Sequence, residues 1–294
     1  MQNNTIHALI LQGEELLQVA GIPDATLFVS ILLAEVLGKP VNTLIFHKQV
    51  PVEAKDKELY FEYIQKAVAG MPLGYILGHQ EFYGFRFVVS PSTLIPRPET
   101  EELVEKVLNI SWGGAVVVDV GTGSGCIPCV LRKKGDFLAV YGCDNSAEAM
   151  EVAKKNASAL DALVTFWQSD CTTSEFVDHI LHLYEQDKVH EYIITANLPY
   201  IPTSDMESLD TNVKNFEPKS ALDGGKEGTE ILIPFLKNVA EIRKKSGIPV
   251  KIFLEIDPAN QASLEHFFTE NKDWSIEFTK DMSGHVRFVE GVID

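Results

Sequence analysis

The sequence predicts an α/β protein: a doubly wound, mostly parallel seven-stranded sheet, with a small N-terminal helical domain and a linking β-hairpin before it. Three observations lead to this fold class. Apolar residues recur at helical spacing up to about residue 70, an aromatic and β-branched segment follows, and beyond Pro98 short apolar runs alternate with amphipathic segments. Sheets of this kind bind ligands at the carboxyl ends of their strands.

Residues 1–71 are expected to form the helical domain. Apolar stripes cover residues 6–20, 27–37 and 59–68, with glycine and proline between them. Residues 72–97 are expected to form a linker that contains the hairpin, because residues 82–89 are aromatic or β-branched around a turn at Gly84.

Residues 98–294 are expected to form the sheet domain, with amphipathic helices such as 147–159 and 229–245 between its strands. The last two apolar runs have no helix between them, so we expect an antiparallel hairpin at the edge of the sheet. The predicted strands are residues 115–120, 138–143, 164–168, 192–196, 251–256, 274–280 and 285–292.

Composition restricts the possible partners. The net charge of −17 opposes binding to nucleic acid phosphates or to anionic membranes, both of which attract basic surfaces. No apolar stretch reaches the roughly 20 residues of a membrane span, and residues 1–5 lack the basic-then-apolar order of a secretory signal. We therefore expect a cytoplasmic protein that binds neither membrane nor nucleic acid.

The cysteines do not predict a metal site. Cys126 and Cys129 have the spacing of a ligand pair, but no second Cys or His pair completes a zinc set. Both follow a glycine-rich turn on an expected helix, where they are interpreted as small apolar residues that face the sheet.

The glycine-rich turn is the predicted cofactor site. The first strand of the sheet domain leads into Gly121-Thr122-Gly123-Ser124-Gly125, where glycines let backbone N–H groups approach a ligand at the start of a helix. Asp144 ends the next strand about 20 residues later, where a carboxylate can accept hydrogen bonds from ribose hydroxyls. The Gly-x-Gly-x-Gly spacing favours S-adenosylmethionine over a dinucleotide. Alternatively, Asp144 is an acid at a helix N-terminus, before Ser146.

Ser169-Asp170-Cys171 follows the third strand of the sheet domain. An acid or backbone amide here could meet an adenine edge, and Cys171 could contribute apolar contact. Asp170 is equally well interpreted as a helix cap.

Asn197-Leu198-Pro199-Tyr200 follows the fourth strand and is the predicted catalytic and substrate-binding site. An amide or exocyclic amine is a weak nucleophile, and acceptors for its two N–H groups raise the electron density on nitrogen. The Asn197 side-chain oxygen and the Leu198 carbonyl can be these acceptors, while Pro199 rigidifies the turn and Tyr200 offers a ring face. Positioning would then supply most of the catalysis of methyl transfer to nitrogen. The alternative is an ordinary turn.

Over nearly its whole length the chain resembles the peptide chain release factor glutamine N5-methyltransferases. The resemblance rests on residues 72–78 (PLGYILG), 94–101 (LIPRPETE), the glycine turn, 216–218 (FEP) and 222–225 (LDGG). Residues 94–101 are the most specific, because the general methyltransferase fold does not require them.

The resemblance implies a class I S-adenosylmethionine-dependent methyltransferase fold, with an N-terminal helical domain that helps to dock the release factor. The substrate would be the side-chain amide of the Gln in a Gly-Gly-Gln motif. Residues 121–125, Asp144, Cys171 and Asn197 would contact the cofactor, and residues 197–200 would hold the glutamine.

This chain departs from the family pattern at two positions. Leu198 replaces the first Pro of the usual Asn-Pro-Pro-Tyr, and Asp257 stands where Gly is usual. Asn-Leu-Pro-Tyr also resembles the motif of adenine N6-methyltransferases, so methylation of adenine in RNA or DNA, with the base flipped onto Tyr200, is an alternative. A second alternative is a binding module without turnover.

Overall fold

A computed structural model describes residues 4–110, 113–187 and 189–293 of this chain. Residues 1–3, at the start of the predicted helical domain, and residue 294, at the end of the predicted sheet domain, lie outside that part. The chain divides into two compact units. The helical unit comprises Met1–Gly78 and Thr211–Phe216, and the sheet unit comprises His79–Asp210 and Glu217–Asp294.

The helical unit has its own apolar core. Its three longest helices bury Leu9, Leu32 and Ile64. The Tyr60 hydroxyl donates a hydrogen bond to the Leu9 carbonyl at 3.1 Å, so the first and third helices are tied together inside the core. The helices are α1 (Ile6–Val19), α2 (Ala25–Leu37), α3 (Ala54–Val68) and α4 (Leu73–Leu77), with a 3-10 segment at Val41–His47 and a short helix at Thr211–Phe216.

Within the described residues, no single helix has both the length and the apolar character needed to cross a membrane. Ala25–Leu37 and Val41–His47 reach that threshold only as a pair, and an 87° bend separates them.

The sheet unit begins with the predicted hairpin, formed by β1 (His79–Phe82) and β2 (Phe85–Val88). Tyr83 and Gly84 connect them with φ of 50° and 76°. Two successive residues with positive φ are typical of the type I′ turn, whose twist matches that of the paired strands. The prediction of a hairpin around Gly84 is confirmed.

The main sheet is seven-stranded and mostly parallel, as predicted. The order across it is β5-β4-β3-β6-β7-β9-β8; β3 to β7 are parallel, and β9 is antiparallel to both of its neighbours. The strands are β3 (Ala115–Val120), β4 (Ala139–Asp144), β5 (Thr165–Gln168), β6 (Glu191–Ala196), β7 (Val250–Glu255), β8 (Trp274–Lys280) and β9 (Val286–Ile293).

Helices cover both faces of this sheet, because its buried strands carry apolar residues on both sides. One apolar core contains side chains of α8, α10 and α11, and the other contains side chains of α5 and α6. The helices are α5 (Pro98–Asn109), α6 (Cys126–Lys134), α7 (Ala147–Ala159), α8 (Ser174–Asp187), α10 (Leu232–Ser246) and α11 (Gln261–Glu270), and α9 is the Thr211–Phe216 helix of the helical unit.

The direction of winding reverses at β3, which lies between β4 on one side and β6 on the other. In an open α/β sheet, a crevice forms outside the carboxyl ends of the strands at such a switch point. The glycine turn follows β3 and the Asn197 turn follows β6, so the topology brings both predicted motifs to this crevice.

Helix α10 begins three residues later than predicted, at Leu232 instead of Thr229. The Glu230 carboxylate accepts hydrogen bonds from the backbone N–H groups of Glu227 and Thr229, at 3.0 and 3.1 Å. These bonds hold the segment in a turn, which delays the helix.

Candidate active site

A cavity of about 330 Å³ lies at the carboxyl ends of β3, β4 and β6. Its lining comes from the glycine turn, the end of β4, the segment after β5, the Asn197 turn and the segment before α5. The cavity brings together all the predicted site residues except Gly125 and Tyr200, namely Gly121, Thr122, Gly123, Ser124, Asp144, Cys171, Asn197, Leu198 and Pro199.

The three glycines of the turn all have positive φ, but only one of them faces open space. A Cβ built on Gly121 would lie 2.8 Å from Cδ2 of Leu198, and one built on Gly125 would lie 3.0 Å from Cβ of Ala153. Apart from its own residue and the two neighbours in the chain, a Cβ on Gly123 would come no closer than 4.0 Å to any heavy atom, the nearest being the Gly121 carbonyl oxygen. Gly121 and Gly125 therefore serve close packing, while Gly123 leaves room in the cavity for a ligand.

Asp119 lies beneath this turn and is fully buried. One carboxylate oxygen accepts a hydrogen bond from the Thr195 hydroxyl at 2.7 Å, and the other has no partner in the described part of the chain. Burial raises the pKa of Asp119 to about 7, because a buried carboxylate loses its hydration.

Asp144 joins the glycine turn to the start of α7. Its two carboxylate oxygens accept the backbone N–H groups of Gly123 and Ser146, each at 2.9 Å, and the Ser146 hydroxyl caps the helix. The geometry thus contains the helix N-terminal arrangement that was the alternative for Asp144. Its oxygens keep further lone pairs, and the residue lines the cavity, so a ribose hydroxyl can still donate to it.

The segment after β5 forms a local turn. Asp170 accepts hydrogen bonds from the backbone N–H and the hydroxyl of Thr172, at 2.9 and 2.7 Å. Cys171 is buried, and burial raises the pKa of its thiol to about 12. A thiol held in the neutral form presents an apolar surface to the cavity. No group of three or more His, Cys, Asp or Glu side chains in the described residues could hold a metal ion.

The Asn197 turn carries two unpaired acceptors, on two residues that line the cavity. The side-chain nitrogen of Asn197 donates to the Thr100 hydroxyl oxygen at 3.2 Å, and no described residue donates to its side-chain oxygen. The Leu198 carbonyl likewise receives no hydrogen bond within residues 4–110, 113–187 and 189–293. The turn therefore offers the pair of acceptors that a carboxamide NH₂ group requires.

Leu198 also contributes to packing. Its side chain is buried in the core of the sheet unit. Since it lies directly against Gly121, this leucine joins the Asn197 turn to the glycine turn. The substitution for the usual Pro therefore retains the backbone acceptor and adds apolar contact between the two halves of the site.

Tyr200 is not among the residues that line the cavity. Its hydroxyl donates to Glu255 at 3.3 Å, and its carbonyl accepts a hydrogen bond from the Asn260 side chain at 3.1 Å. These contacts anchor the end of the turn.

Asp257, the second departure from the family pattern, supports the same anchor. It adopts an extended backbone with φ of −86°, so glycine is not needed there. Its side chain caps the short turn Pro258–Asn260, and Asn260 in return accepts the Asp257 backbone N–H at 2.9 Å. This reciprocal cap fixes the side chain that holds Tyr200.

Two residues with a direct bearing on the site were not predicted, Thr100 and Glu255. Thr100, in the first turn of α5, donates its hydroxyl proton to Glu255 at 2.6 Å while it accepts the hydrogen bond from Asn197. The sequence contained one indication of this contact. Glu255 is an acid at the end of the apolar strand β7, and a buried charge needs a partner.

Arg97 and Glu217 form an ion pair at the rim of the cavity, with 2.6 Å between Nη2 and Oε1. The Glu217 side chain is only 1% exposed. Burial raises its pKa, and the neighbouring guanidinium opposes that shift. The pair joins two sequence motifs of the resemblance, residues 94–101 and 216–218, which are distant in the chain.

Two family models match parts of this chain. The family model of the PrmC N-terminal domain matches residues 8–78, and that of a methyltransferase domain matches residues 117–209. Among solved structures, a ribosomal protein L11 methylase from Lactobacillus delbrueckii subsp. bulgaricus has a TM-score of 0.41 and 18% identity, covering 66% of this chain and 76% of its own. That likeness is too weak to bear on function.

Three relatives are named release factor glutamine methyltransferase. The protein of Koribacter versatilis is 34% identical and the alignment covers 94% of both chains. The protein of Nitratidesulfovibrio vulgaris is 33% identical over 97% of this chain and 94% of its own, and that of Bacillus anthracis is 36% identical over 74% and 76%. The chain therefore belongs to the release factor glutamine methyltransferase family.

Proposed function

We propose that this protein transfers a methyl group from S-adenosylmethionine to the side-chain amide nitrogen of the glutamine in the Gly-Gly-Gln motif of peptide chain release factors. The observation that carries the proposal is the pair of unpaired acceptors in the Asn197 turn, at a cavity that the glycine turn also lines. The names of the relatives support the same substrate.

The cavity fits the proposed cofactor. Gly123 leaves space where any other residue would place a side chain, and Asp144 has lone pairs free for ribose hydroxyls. We expect the backbone of residues 121–125 to hold the amino acid end, Asp144 the ribose, and the neutral thiol of Cys171 the base, with Asn197 nearby. When bound, the cofactor supplies an electrophilic methyl group on a sulfonium.

The protein's own contribution to the reaction is orientation and polarisation. The Asn197 side-chain oxygen and the Leu198 carbonyl accept the two N–H groups of the glutamine amide, which raises electron density on its nitrogen and fixes its direction. Pro199 restricts the turn, and Tyr200 anchors its end through Glu255 and Asn260. After the methyl transfer, the methylated nitrogen releases one of its two protons to water, which gives the neutral N-methyl amide, so no strong base has to act before the transfer.

In this proposal the protein acts in the cytoplasm, on factors of translation termination. The helical unit would contribute to docking of the release factor. Methylation of adenine in RNA or DNA, which the Asn-Leu-Pro-Tyr motif also permits, is not favoured by the relatives.

A labelling experiment tests the proposal. Full-length protein, labelled cofactor and a purified release factor should give label on the Gly-Gly-Gln glutamine, located by mass spectrometry and insensitive to nuclease. Asn197→Ala should lower kcat by about 100-fold or more, the scale for losing one preorganised polar contact. Asn271→Ala, at the end of α11 and bonded to Phe267, is the matched control and should retain activity. Label on adenine in RNA, with activity that falls as salt rises, would refute the proposal.

A further inference from the structure

The buried chain of hydrogen bonds behind Asn197 has a fixed direction. It runs from the Asn197 side-chain nitrogen to the Thr100 hydroxyl, at 3.2 Å, and from that hydroxyl to Glu255, at 2.6 Å. Thr100 and Glu255 are 3% and 2% exposed, so water does not compete for these bonds. The three residues come from the end of β6, the first turn of α5 and the end of β7.

We propose that Thr100 and Glu255 are positioning residues that determine which end of the Asn197 amide faces the substrate. This inference rests on the proposed function. Buried Thr100 and buried Glu255 keep the side-chain oxygen of Asn197, and not its NH₂ group, directed at the substrate glutamine.

The chemistry of the groups gives the chain its direction. A carboxylate has only acceptors, so the single proton of the Thr100 hydroxyl points at Glu255. The Thr100 oxygen can then only accept from Asn197, and of the two ends of that amide only the nitrogen can donate. The side-chain oxygen is left at the opposite end. In a rotated amide, the oxygens of Asn197 and Thr100 would face each other without a proton between them.

The direction of the chain depends on the charged form of Glu255, which burial and the nearby Glu99 carboxylate oppose and which Thr100, Arg287 and Tyr200 favour. Thr100 and Tyr200 each donate a hydroxyl to it, at 2.6 and 3.3 Å. Burial raises the Glu255 pKa, and the positive charge of Arg287 opposes this shift. A protonated Glu255 could donate to Thr100 and reverse the chain, which would direct a donor at the substrate amide.

The test uses Thr100→Val, which keeps the side-chain shape and removes the hydroxyl, and Thr100→Ser, which keeps the hydroxyl. For the Gly-Gly-Gln peptide, kcat should fall roughly 10-fold to 100-fold in Thr100→Val and recover in Thr100→Ser, because only part of a preorganised contact is lost. KM for the peptide and the cofactor dissociation constant should change much less. Thr279→Val is the matched control, since Thr279 also donates to a partly buried carboxylate, that of Glu290 at 3.0 Å, on the distant edge strand.

A second readout needs no substrate. The side-chain amide signals of Asn197 in the ¹⁵N–¹H spectrum, assigned by their loss in Asn197→Asp, should shift in Thr100→Val and not in Thr100→Ser. If wild-type protein fails to methylate the peptide, the proposed function fails, and these signals still decide the inference. A Thr100→Val protein with wild-type kcat and unshifted signals would overturn it.

Glu255→Gln keeps the test decisive if Thr100→Val does not fold. A glutamine can turn either its oxygen or its NH₂ group towards Thr100, so the direction of the chain is no longer enforced. We expect kcat to fall and the Asn197 signals to broaden or double. Full activity in folded Glu255→Gln would contradict the inference.

Discussion

At the level of single residues, Gly123 and Gly125 have similar backbone conformations but different surroundings. An alanine methyl group at position 123 would enter the cavity, whereas one at position 125 would press on Ala153. We expect Gly123→Ala to weaken S-adenosylmethionine binding by roughly 10-fold or more. Both variants should also lose about 1–2 kcal/mol of stability, because alanine is strained at a positive φ. Gly125→Ala should lose about 1–3 kcal/mol of stability in addition, through overpacking.

Calorimetric titration of cofactor and urea unfolding separate the two effects. The expected pattern is weak binding with moderate destabilisation for the first variant, and the larger destabilisation for the second. Equal losses of affinity and stability in both would show that position 123 does not face the ligand.

The raised pKa of Asp119 predicts how stability depends on pH. Its ordinary value near 3.8 rises to about 7 in the folded protein, so folding favours the protonated form. This contribution is fully present below about pH 4 and is lost as pH rises through 7. The free energy of unfolding should therefore decrease between pH 5 and pH 8, and Asp119→Asn should reduce that slope.

Urea unfolding at several pH values checks this prediction. Burial also raises the pKa of Asp144, Glu217 and Glu255, so part of the slope should remain in the Asp119→Asn variant. An unchanged slope in that variant would mean that Asp119 is ionised in the folded protein at pH 5.

Local motifs were accessible to sequence analysis at this scale, and contacts through space were not. The glycine turn and the Asn197 turn stand out because each is a short run of adjacent residues. The first contains glycines, which permit a positive φ, and the second is an Asn-x-Pro-Tyr segment. Thr100 and Glu255 are 155 positions apart, and nothing local in either segment shows that they meet. Tyr200 also carries a polar contact that the sequence did not indicate, because Glu255 approaches it from another strand.

At the level of elements, the start of α5 depends on the ion pair between Arg97 and Glu217. Arg97→Ala would leave the Glu217 carboxylate buried and unpaired, which usually costs about 3–5 kcal/mol. The Arg97 side chain is 34% exposed, so we expect a smaller loss, of about 2–3 kcal/mol, because water screens part of the interaction. Glu217→Gln should lose less, since no charge is left buried.

A double-mutant cycle by urea unfolding measures the pair. Arg97→Ala combined with Glu217→Gln should be more stable than the sum of the two single losses predicts. Additive losses would show that the ion pair does not couple the two segments.

Strand β1 begins at His79, three residues before the predicted segment 82–89, because its first residues are polar. The bounds of the strands of the main sheet were predictable to within about one residue, because most of them are apolar runs that end at polar or glycine residues. The order of the strands was not, since it depends on pairing between distant segments. The assignment of α9 to the helical unit was also inaccessible: it lies in the middle of the sheet-domain sequence, and only its contacts place it elsewhere.

At the level of the whole molecule, the helical unit carries an exposed apolar patch that its own core does not explain. We define the patch as Val41, Ile45, Phe46 and Val50, in and after the 3-10 segment. Phe46 is 83% exposed and Ile45 is 62% exposed. Exposed apolar residues grouped in this way are typical of surfaces that bind another protein, which suits the proposed docking of a release factor.

The double variant Ile45→Ser/Phe46→Ser tests this role without deletion of a domain. We expect kcat/KM for folded release factor to fall roughly 10-fold or more, because exposed aromatic anchors carry much of the energy of an interface. Activity on a short Gly-Gly-Gln peptide should stay near wild type, since a peptide engages only the site in the sheet unit. Leu163→Ser is the matched control, because Leu163 is a single apolar residue of the sheet unit, 78% exposed.

Comparison of the two substrates makes this prediction specific. A variant that loses activity on peptide and protein alike has a damaged active site or fold, and thermal unfolding identifies the latter. A variant that keeps full activity on both would show that residues 41–50 do not meet the release factor, and docking would have to be assigned to another surface. Only a selective loss on the folded protein supports recognition by the helical unit, because the chemical step is the same for both substrates.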